Sequence, residues 1–135
     1  MPAQVRTGDL QQELAGLAAA LRAIVEGLPA LLPTEIQVWT VYAGTEKVVA
    51  ILKFRLGVER PGVFTELPSF QRSTELLPVA LEKMTDATQK IRSNQLVDGL
   101  AALRSARDNL RAYLSEERRV RMGARRRAAA SRPSS

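Results

Sequence analysis

The spacing of leucine and isoleucine near the N-terminus constrains the fold most strongly, because apolar residues recur there every three or four positions. This pattern predicts an amphipathic helix over about residues 9–26. Gly27 and Pro29 favour its end, since glycine tolerates a left-handed conformation and proline lacks an N–H donor. A helix this short needs a covering partner, either elsewhere in the chain or in another subunit. We call its apolar residues the leucine seam and predict that they mediate oligomerisation: Leu10, Leu14, Leu17, Leu21 and Ile24.

The C-terminal half contains two further helical patterns that are out of phase with each other. The first comprises Leu77, Leu81, Met84, Thr88 and Ile91, and the second comprises Leu96, Leu100, Leu103, Ala106, Leu110, Tyr113 or Leu114, and Val120. Ser93 and Asn94 lie between the two patterns and favour a turn or a helix cap. The sequence therefore predicts a helical hairpin of helices 77–92 and 95–122. The alternative is one continuous helix whose apolar face rotates.

Residues 35–56 differ in character, because they are rich in aromatic and β-branched residues, which favour strands. Apolar residues alternate from Val48 to Leu56 with Lys53 and Arg55 between them, which is the period of a strand. Residues 43–46 suit a hairpin loop, so we predict a β-hairpin over 35–56. Two short helices are the alternative, with Thr45 capping the second helix and Gly57 ending it.

The predicted fold class is mainly α, of the α+β type, with a core like that of a three-helix bundle and the β-hairpin inserted into it. Residues 1–122 form a single folded domain in this interpretation. Residues 57–75 form its connecting loop, because two turn signals centred on Pro61 and Pro68 fall there. Residues 123–135 form a basic tail that lacks apolar periodicity, so we expect it to be disordered on its own.

The absence of two residue types restricts the chemistry, since the chain contains no histidine and no cysteine. This composition excludes a Cys/His zinc site, a disulfide framework, a cysteine nucleophile and a histidine general base. Glu82 and Asp86 share a helix face, but with Lys90 they form a salt-bridge ladder more simply than a metal or acid–base site. We predict no catalytic residues, no metal and no cofactor.

Positive charge is concentrated at the C-terminus. The chain has 20 basic and 14 acidic residues, and seven of the arginines but none of the acids lie at or after Arg118, which leaves 13 bases and 14 acids before it. On a helical wheel, Arg104, Arg107, Arg111, Arg118 and Arg125 form one stripe beside the apolar face, roughly 30 Å long. Such a stripe either binds phosphates or forms salt bridges with acids on the neighbouring helix: Glu75, Glu82 and Asp86.

Two functional hypotheses follow from this charge distribution. The first is a non-enzymatic, nucleic-acid-associated structural or assembly subunit that contacts the DNA or RNA backbone without reading its sequence. Its predicted contacts are Arg104, Arg107, Arg111, Arg118, Arg119, Arg121, Arg125, Arg126 and Arg127. The second is an oligomeric protein-interaction adaptor that assembles through the leucine seam and has no nucleic-acid role. We expect a cytoplasmic location and no membrane contact, because neither a signal peptide nor a spanning segment is evident.

Overall fold

The structure, a computed structural model, describes residues 5–58 and 67–130, and it is mainly helical. Four helices follow one another along the chain: α1 (Gly8–Gly27), α2 (Glu35–Leu56), α3 (Leu76–Arg92) and α4 (Leu96–Ala130). A short 3₁₀ turn, Ser73–Glu75, immediately precedes α3. No strand occurs within the described ranges. The predicted mainly helical class is thus confirmed, whereas its β component is not, and the core is built from four helices instead of the predicted three.

The helices surround one core, and each helix packs against two others. α1 contacts α2 and α3, and α4 also contacts α2 and α3, so α1 lies diagonally opposite α4. One end of the core joins Leu14 of α1 to Leu52 of α2, Ile91 of α3 and Leu103 of α4. The other end joins Leu21, Val41, Leu77 and Leu110 of the same four helices. α1 and α4 therefore run in one direction while α2 and α3 run in the other.

This arrangement explains the long connection between α2 and α3. α2 ends beside the start of α1, whereas α3 begins at the opposite end of the core. Residues 57–75 connect these two ends, which is the kind of long crossover found in some four-helix bundles. Residues 59–66, which include the turn signal at Pro61, lie outside the described residues.

The predicted β-hairpin over residues 35–56 is wrong, because this segment forms the single helix α2. Thr34 begins the helix with a capping box: its hydroxyl accepts from the Gln37 backbone N–H, and the Gln37 side chain accepts from the Thr34 backbone N–H. Gly57 ends the helix in a left-handed conformation, with φ 68°. The alternative of two short helices was right that Gly57 ends a helix. It was wrong that Thr45 caps one, because Thr45 lies buried inside α2.

The helical pattern of α2 is hidden in the sequence by one polar residue. Its buried face comprises Val38, Val41, Thr45, Val48, Val49 and Leu52, which follow helical spacing once threonine is included. Thr45 fits this apolar face because its hydroxyl donates to the Val41 carbonyl at 2.8 Å. The apparent alternation is incidental, since Ala50 is exposed and Phe54 is 86% exposed.

α1 and α3 lie within one residue of their predicted bounds, whereas α4 ends eight residues beyond its predicted end at residue 122. α1 extends the predicted range by one residue at each end. α3 and α4 form a hairpin in which Asn94 adopts a left-handed conformation, with φ 64°, so the alternative of one continuous helix is wrong. Val120 belongs to the predicted apolar series but is exposed. The buried positions that the series missed include Leu76 and Asn109.

The leucine seam faces the interior of this chain. Leu10, Leu14 and Leu21 are buried in the core, and Leu17 and Ile24 pack against it while half-buried. α2 and α3 cover the seam from two sides. The partner that the seam requires is therefore present within the chain.

An ion pair joins the start of α1 to the end of α2. Arg55 donates to both carboxylate oxygens of Asp9, at 2.8 and 2.7 Å, and also to the Arg6 carbonyl at 2.7 Å. The hydrogen bonds from Arg55 lower the pKa of Asp9 from 3.8 to about 2. This contact fixes the end of the bundle that is farthest from the exposed part of α4.

Two helical glycines allow a paired test of the packing between α3 and α4. A Cβ at Gly99 would lie 2.6 Å from Cγ1 of Ile91 and 3.4 Å from the Ile91 backbone nitrogen. We expect Gly99→Ala to lower the free energy of unfolding by about 1–3 kcal/mol, because backbone and core must shift. Gly16→Ala is the control, since nothing lies within 4 Å of its Cβ position. It should raise stability by about 0.5–1 kcal/mol.

Denaturant unfolding of the two variants measures both effects. Equal effects of the two substitutions would contradict the close approach of α3 and α4 at Gly99.

Candidate nucleic-acid interface

Helix α4 is longer than the core that it packs against. It contains 35 residues, against 20 in α1, which correspond to lengths of about 52 and 30 Å. Its last buried residue is Tyr113. From Arg118 to Ala130 every residue is exposed except Gly123, which is half-buried. The C-terminal part of α4 therefore presents its side chains to solvent.

The structure extends α4 beyond the predicted helix end at residue 122. Residues 123–130, the first part of the predicted disordered tail, are helical, and residues 131–135 lie outside the described range. Composition explains the extension, because this stretch consists almost entirely of alanine and arginine, which have high helix propensity. Arginines near a helix C-terminus also interact favourably with the helix dipole. We call Arg118–Arg127 the arginine segment.

The first part of the predicted arginine stripe is engaged with α2. Arg107 lies 3.2 Å from a carboxylate oxygen of Glu46 and 3.2 Å from Asp108. Arg111 donates to the Tyr42 hydroxyl at 3.1 Å and lies 3.8 Å from Glu46. The hydrogen bond with Tyr42 raises the pKa of the Arg111 guanidinium. These contacts favour the salt-bridge interpretation for Arg107 and Arg111, with partners on α2 rather than the expected acids Glu75, Glu82 and Asp86.

Arg104 lies nearer the start of the stripe and is half-buried. One terminal nitrogen of its guanidinium, Nη2, is shielded from solvent and has no hydrogen-bond partner among the described residues. Arg107 and Arg111 of the stripe therefore belong to the α2–α4 contact, and only Arg118 and Arg125 of the stripe reach the exposed end of α4.

Two arginines of the arginine segment form exposed ion pairs. Arg119 donates to both carboxylate oxygens of Glu116, one turn earlier, and this pairing lowers the pKa of Glu116. Arg121 lies 2.5 Å from a carboxylate oxygen of Glu35, the first residue of α2. The side chains of Arg121 and Glu35 are both more than half exposed, so this ion pair contributes little to stability.

The remaining arginines of the segment lie on the same exposed helix end. Arg118, Arg125 and Arg126 form neither a hydrogen bond nor an ion pair with any residue in the described ranges. Arg127 is exposed as well. The structure thus brings Arg118–Arg127 together as a cationic surface that wraps around one exposed helix end, and separates it from Arg104, Arg107 and Arg111.

A groove between α2 and α4 adds an aromatic residue that the sequence interpretation missed. Trp39 is 47% exposed and lines a cavity of about 360 Å³ together with Leu114, Met122 and three arginines of α4, Arg118, Arg121 and Arg125. Trp39 lies 79 positions before Arg118 in the sequence, so no local pattern connects the two. Only the antiparallel packing of α2 on α4 places them side by side.

The groove is bounded by acidic and phenolic groups as well as by cations. Glu35 and Glu117 line it, and Glu117 accepts a hydrogen bond from the Ser73 hydroxyl at 2.5 Å. Tyr113 lies at its base, where burial raises the pKa of the phenol. The surface therefore combines exposed guanidinium groups with an aromatic side chain, which suits an anionic ligand with a flat apolar part.

The described residues contain no group of three or more acidic side chains arranged to hold a metal ion. None of the helices in these ranges is both long enough and apolar enough to span a membrane. No protein-family model, curated protein or solved structure matches this chain.

The contact between Glu46 and Arg107 is testable by a double-mutant cycle. We expect Glu46→Gln, Arg107→Gln and the double variant to give a coupling energy of about 0.5–1 kcal/mol in unfolding experiments, because both side chains are only partly exposed. The exposed pair Glu116 and Arg119 is the control, with an expected coupling of about 0.3–0.5 kcal/mol. A coupling of zero for Glu46 and Arg107 would show that α2 does not hold this arginine.

Proposed function

We propose that the protein is a non-enzymatic, nucleic-acid-associated structural or assembly subunit, which contacts the phosphate backbone through the arginine segment of α4. The observation that carries the proposal is the position of six arginines, Arg118 to Arg127, on an exposed helix end that includes no acidic residue. Clustered arginines are the electrostatic footprint expected of a phosphate-binding protein.

The dimensions of the arginine segment support backbone contact. Arg118 and Arg127 are nine residues apart, which corresponds to about 14 Å along the helix. Duplex DNA carries one phosphate charge per about 1.7 Å of its axis, so several phosphates lie within reach of this segment. Contacts to phosphate carry no direct sequence information, and we therefore propose binding that is independent of base sequence.

The repulsion between the arginines also favours an anionic partner. Arg118 and Arg121 are three residues apart, and Arg121 and Arg125 are four apart, so each pair shares a helix face. Like charges at these spacings destabilise a helix. A bound phosphate relieves this repulsion and stabilises the exposed end of α4.

The proposal is tested by salt-dependent binding of full-length protein to an arbitrary duplex. We expect Arg125→Gln with Arg126→Gln to weaken binding and to reduce the slope of log K against log salt by up to about 1.8, since each lost phosphate contact removes about 0.9. The control is Arg22→Gln with Arg92→Gln, which removes the same charge from exposed positions on α1 and α3. It should leave the slope unchanged.

Fluorescence anisotropy at several salt concentrations, with unrelated duplex and RNA sequences, provides the measurement. Equal effects of the two double variants would locate binding elsewhere, and no binding of the unmodified protein at about 50 mM salt would refute the proposal.

A second candidate function, a protein-interaction adaptor, is favoured by a different surface. Leu31, Leu32 and Ile36 are 72%, 63% and 78% exposed, and they line an apolar groove where α1 meets α2. Contiguous exposed apolar groups are typical of protein contact sites. Of the leucine seam, only Ile24 lines this groove, whereas the leucines of the seam face the core. A native mass above that of one chain, measured by light scattering, would favour it.

A further inference from the structure

The groove that contains Trp39 is the place where the cationic surface meets an aromatic group. We infer that this groove binds single-stranded nucleic acid, with a base stacked on Trp39 and the adjacent phosphates on Arg118 and Arg125. The inference rests on the proposed function and specifies its ligand, since contact with the backbone alone does not distinguish a single strand from a duplex.

Trp39 is held in place from one side and open on the other. Its ring lies 5.4 Å from the Tyr42 ring, in an edge-to-face arrangement with an interplanar angle of 85°. Tyr42 is itself fixed, because Arg111 lies over its ring and donates to its hydroxyl. A tryptophan fixed in this way loses little conformational freedom when a ligand stacks on it.

The arginines of the groove complement this aromatic group. Arg118 and Arg125 line the same cavity as Trp39 and pair with no acid in the described part of the chain. They lie two turns apart along α4, about 10 Å, and line the groove opposite Trp39, which belongs to α2. Stacking of bases on aromatic side chains beside a positively charged groove is the common mode of single-strand binding.

This combination favours a single strand over other anions. A duplex keeps its bases stacked inside, so Trp39 has no base to contact, and a peptide of aspartate and glutamate alone has no flat apolar group. The cavity of about 360 Å³ lies at the lower end of the range of ligand clefts, about 300–1,000 Å³, and suits one base.

Glu35 forms an ion pair with Arg121, the third arginine that lines the groove. Its carboxylate pairs with Arg121, and both side chains are more than half exposed, so a phosphate competes with Glu35 for this guanidinium. Removal of the carboxylate should therefore strengthen binding. We expect Glu35→Gln to bind a single strand about two- to fivefold more tightly, the range set by an exposed ion pair.

The sole tryptophan of the chain provides a direct readout, because its fluorescence reports only on this groove. We expect an oligothymidylate of about 12 nucleotides to quench Trp39 fluorescence at saturation. An abasic strand of the same length should bind more weakly and leave the fluorescence unchanged, and a 12-base-pair duplex should also leave it unchanged.

Variants at Trp39 separate stacking from charge. Trp39→Ala should weaken binding of the base-containing strand at least about fivefold, since stacking contributes about 1–3 kcal/mol per base. It should leave binding of the abasic strand and the duplex unaltered, and Trp39→Phe should restore part of the affinity. Phe54→Ala is the matched control, because Phe54 is an exposed aromatic residue on the same helix, 15 positions away.

The possible failures are distinguishable. If Trp39→Ala binds the base-containing strand as tightly as the unmodified protein, or if saturation leaves the fluorescence unchanged, the inference is wrong while the proposed function stands. Equal quenching by free thymidine monophosphate at the same nucleotide concentration, or equal binding of an oligoglutamate peptide, also overturns it. Absence of binding to every nucleic acid overturns both the inference and the proposed function.

Discussion

The difference in length between α4 and the rest of the bundle determines the arrangement of this protein. The first half of α4 closes the core against α2 and α3, and its last buried residue is Tyr113. The remaining turns contain no buried residue and carry the arginine segment, which adjoins the first turns of α2 at Glu35 and Trp39. Because apolar burial is the main source of folding stability, the first half fixes the helix while the second half is free to contact a partner. Stability and the proposed function thus depend on different parts of one helix.

Helix α2 links these two parts. Its buried face completes the core, and its polar face holds Arg107 and Arg111 through Glu46 and Tyr42. Tyr42 in turn packs against Trp39, which lines the groove beside Arg118. Arg111, near the middle of α4, therefore helps to position Trp39 through Tyr42, whereas the arginines near the end of α4 remain exposed.

Helical periodicity in the sequence predicted α1 and the α3–α4 hairpin well, because leucines at helical spacing there have few interruptions. It failed for α2, where Thr45 interrupts the apolar face and β-branched residues favour a strand by local propensity alone. The tertiary contacts of Val38 to Leu52 override that propensity. The helix end at residue 122 was also misplaced, since an alanine- and arginine-rich segment without apolar periodicity still has high helix propensity.

The candidate site was only partly predictable for a related reason. The sequence identifies the cluster from Arg118 to Arg127, because charge clustering is a local property of the chain. It does not separate Arg107 and Arg111 from that cluster, since their partners Glu46 and Tyr42 lie more than 60 residues away. Trp39 was missed for the same reason. Long-range packing decides which arginines are engaged and which are exposed.

The central claim, that the exposed end of α4 and the adjoining groove form the binding surface, is tested most directly by nuclear magnetic resonance. Titration of ¹⁵N-labelled full-length protein with a single-stranded oligonucleotide reports every backbone amide and the one indole N–H. We expect the shifted resonances to be those of residues 114–130 and the Trp39 indole. Shifts that cluster at Leu31, Leu32 and Ile36, or no shifts at all, would contradict it.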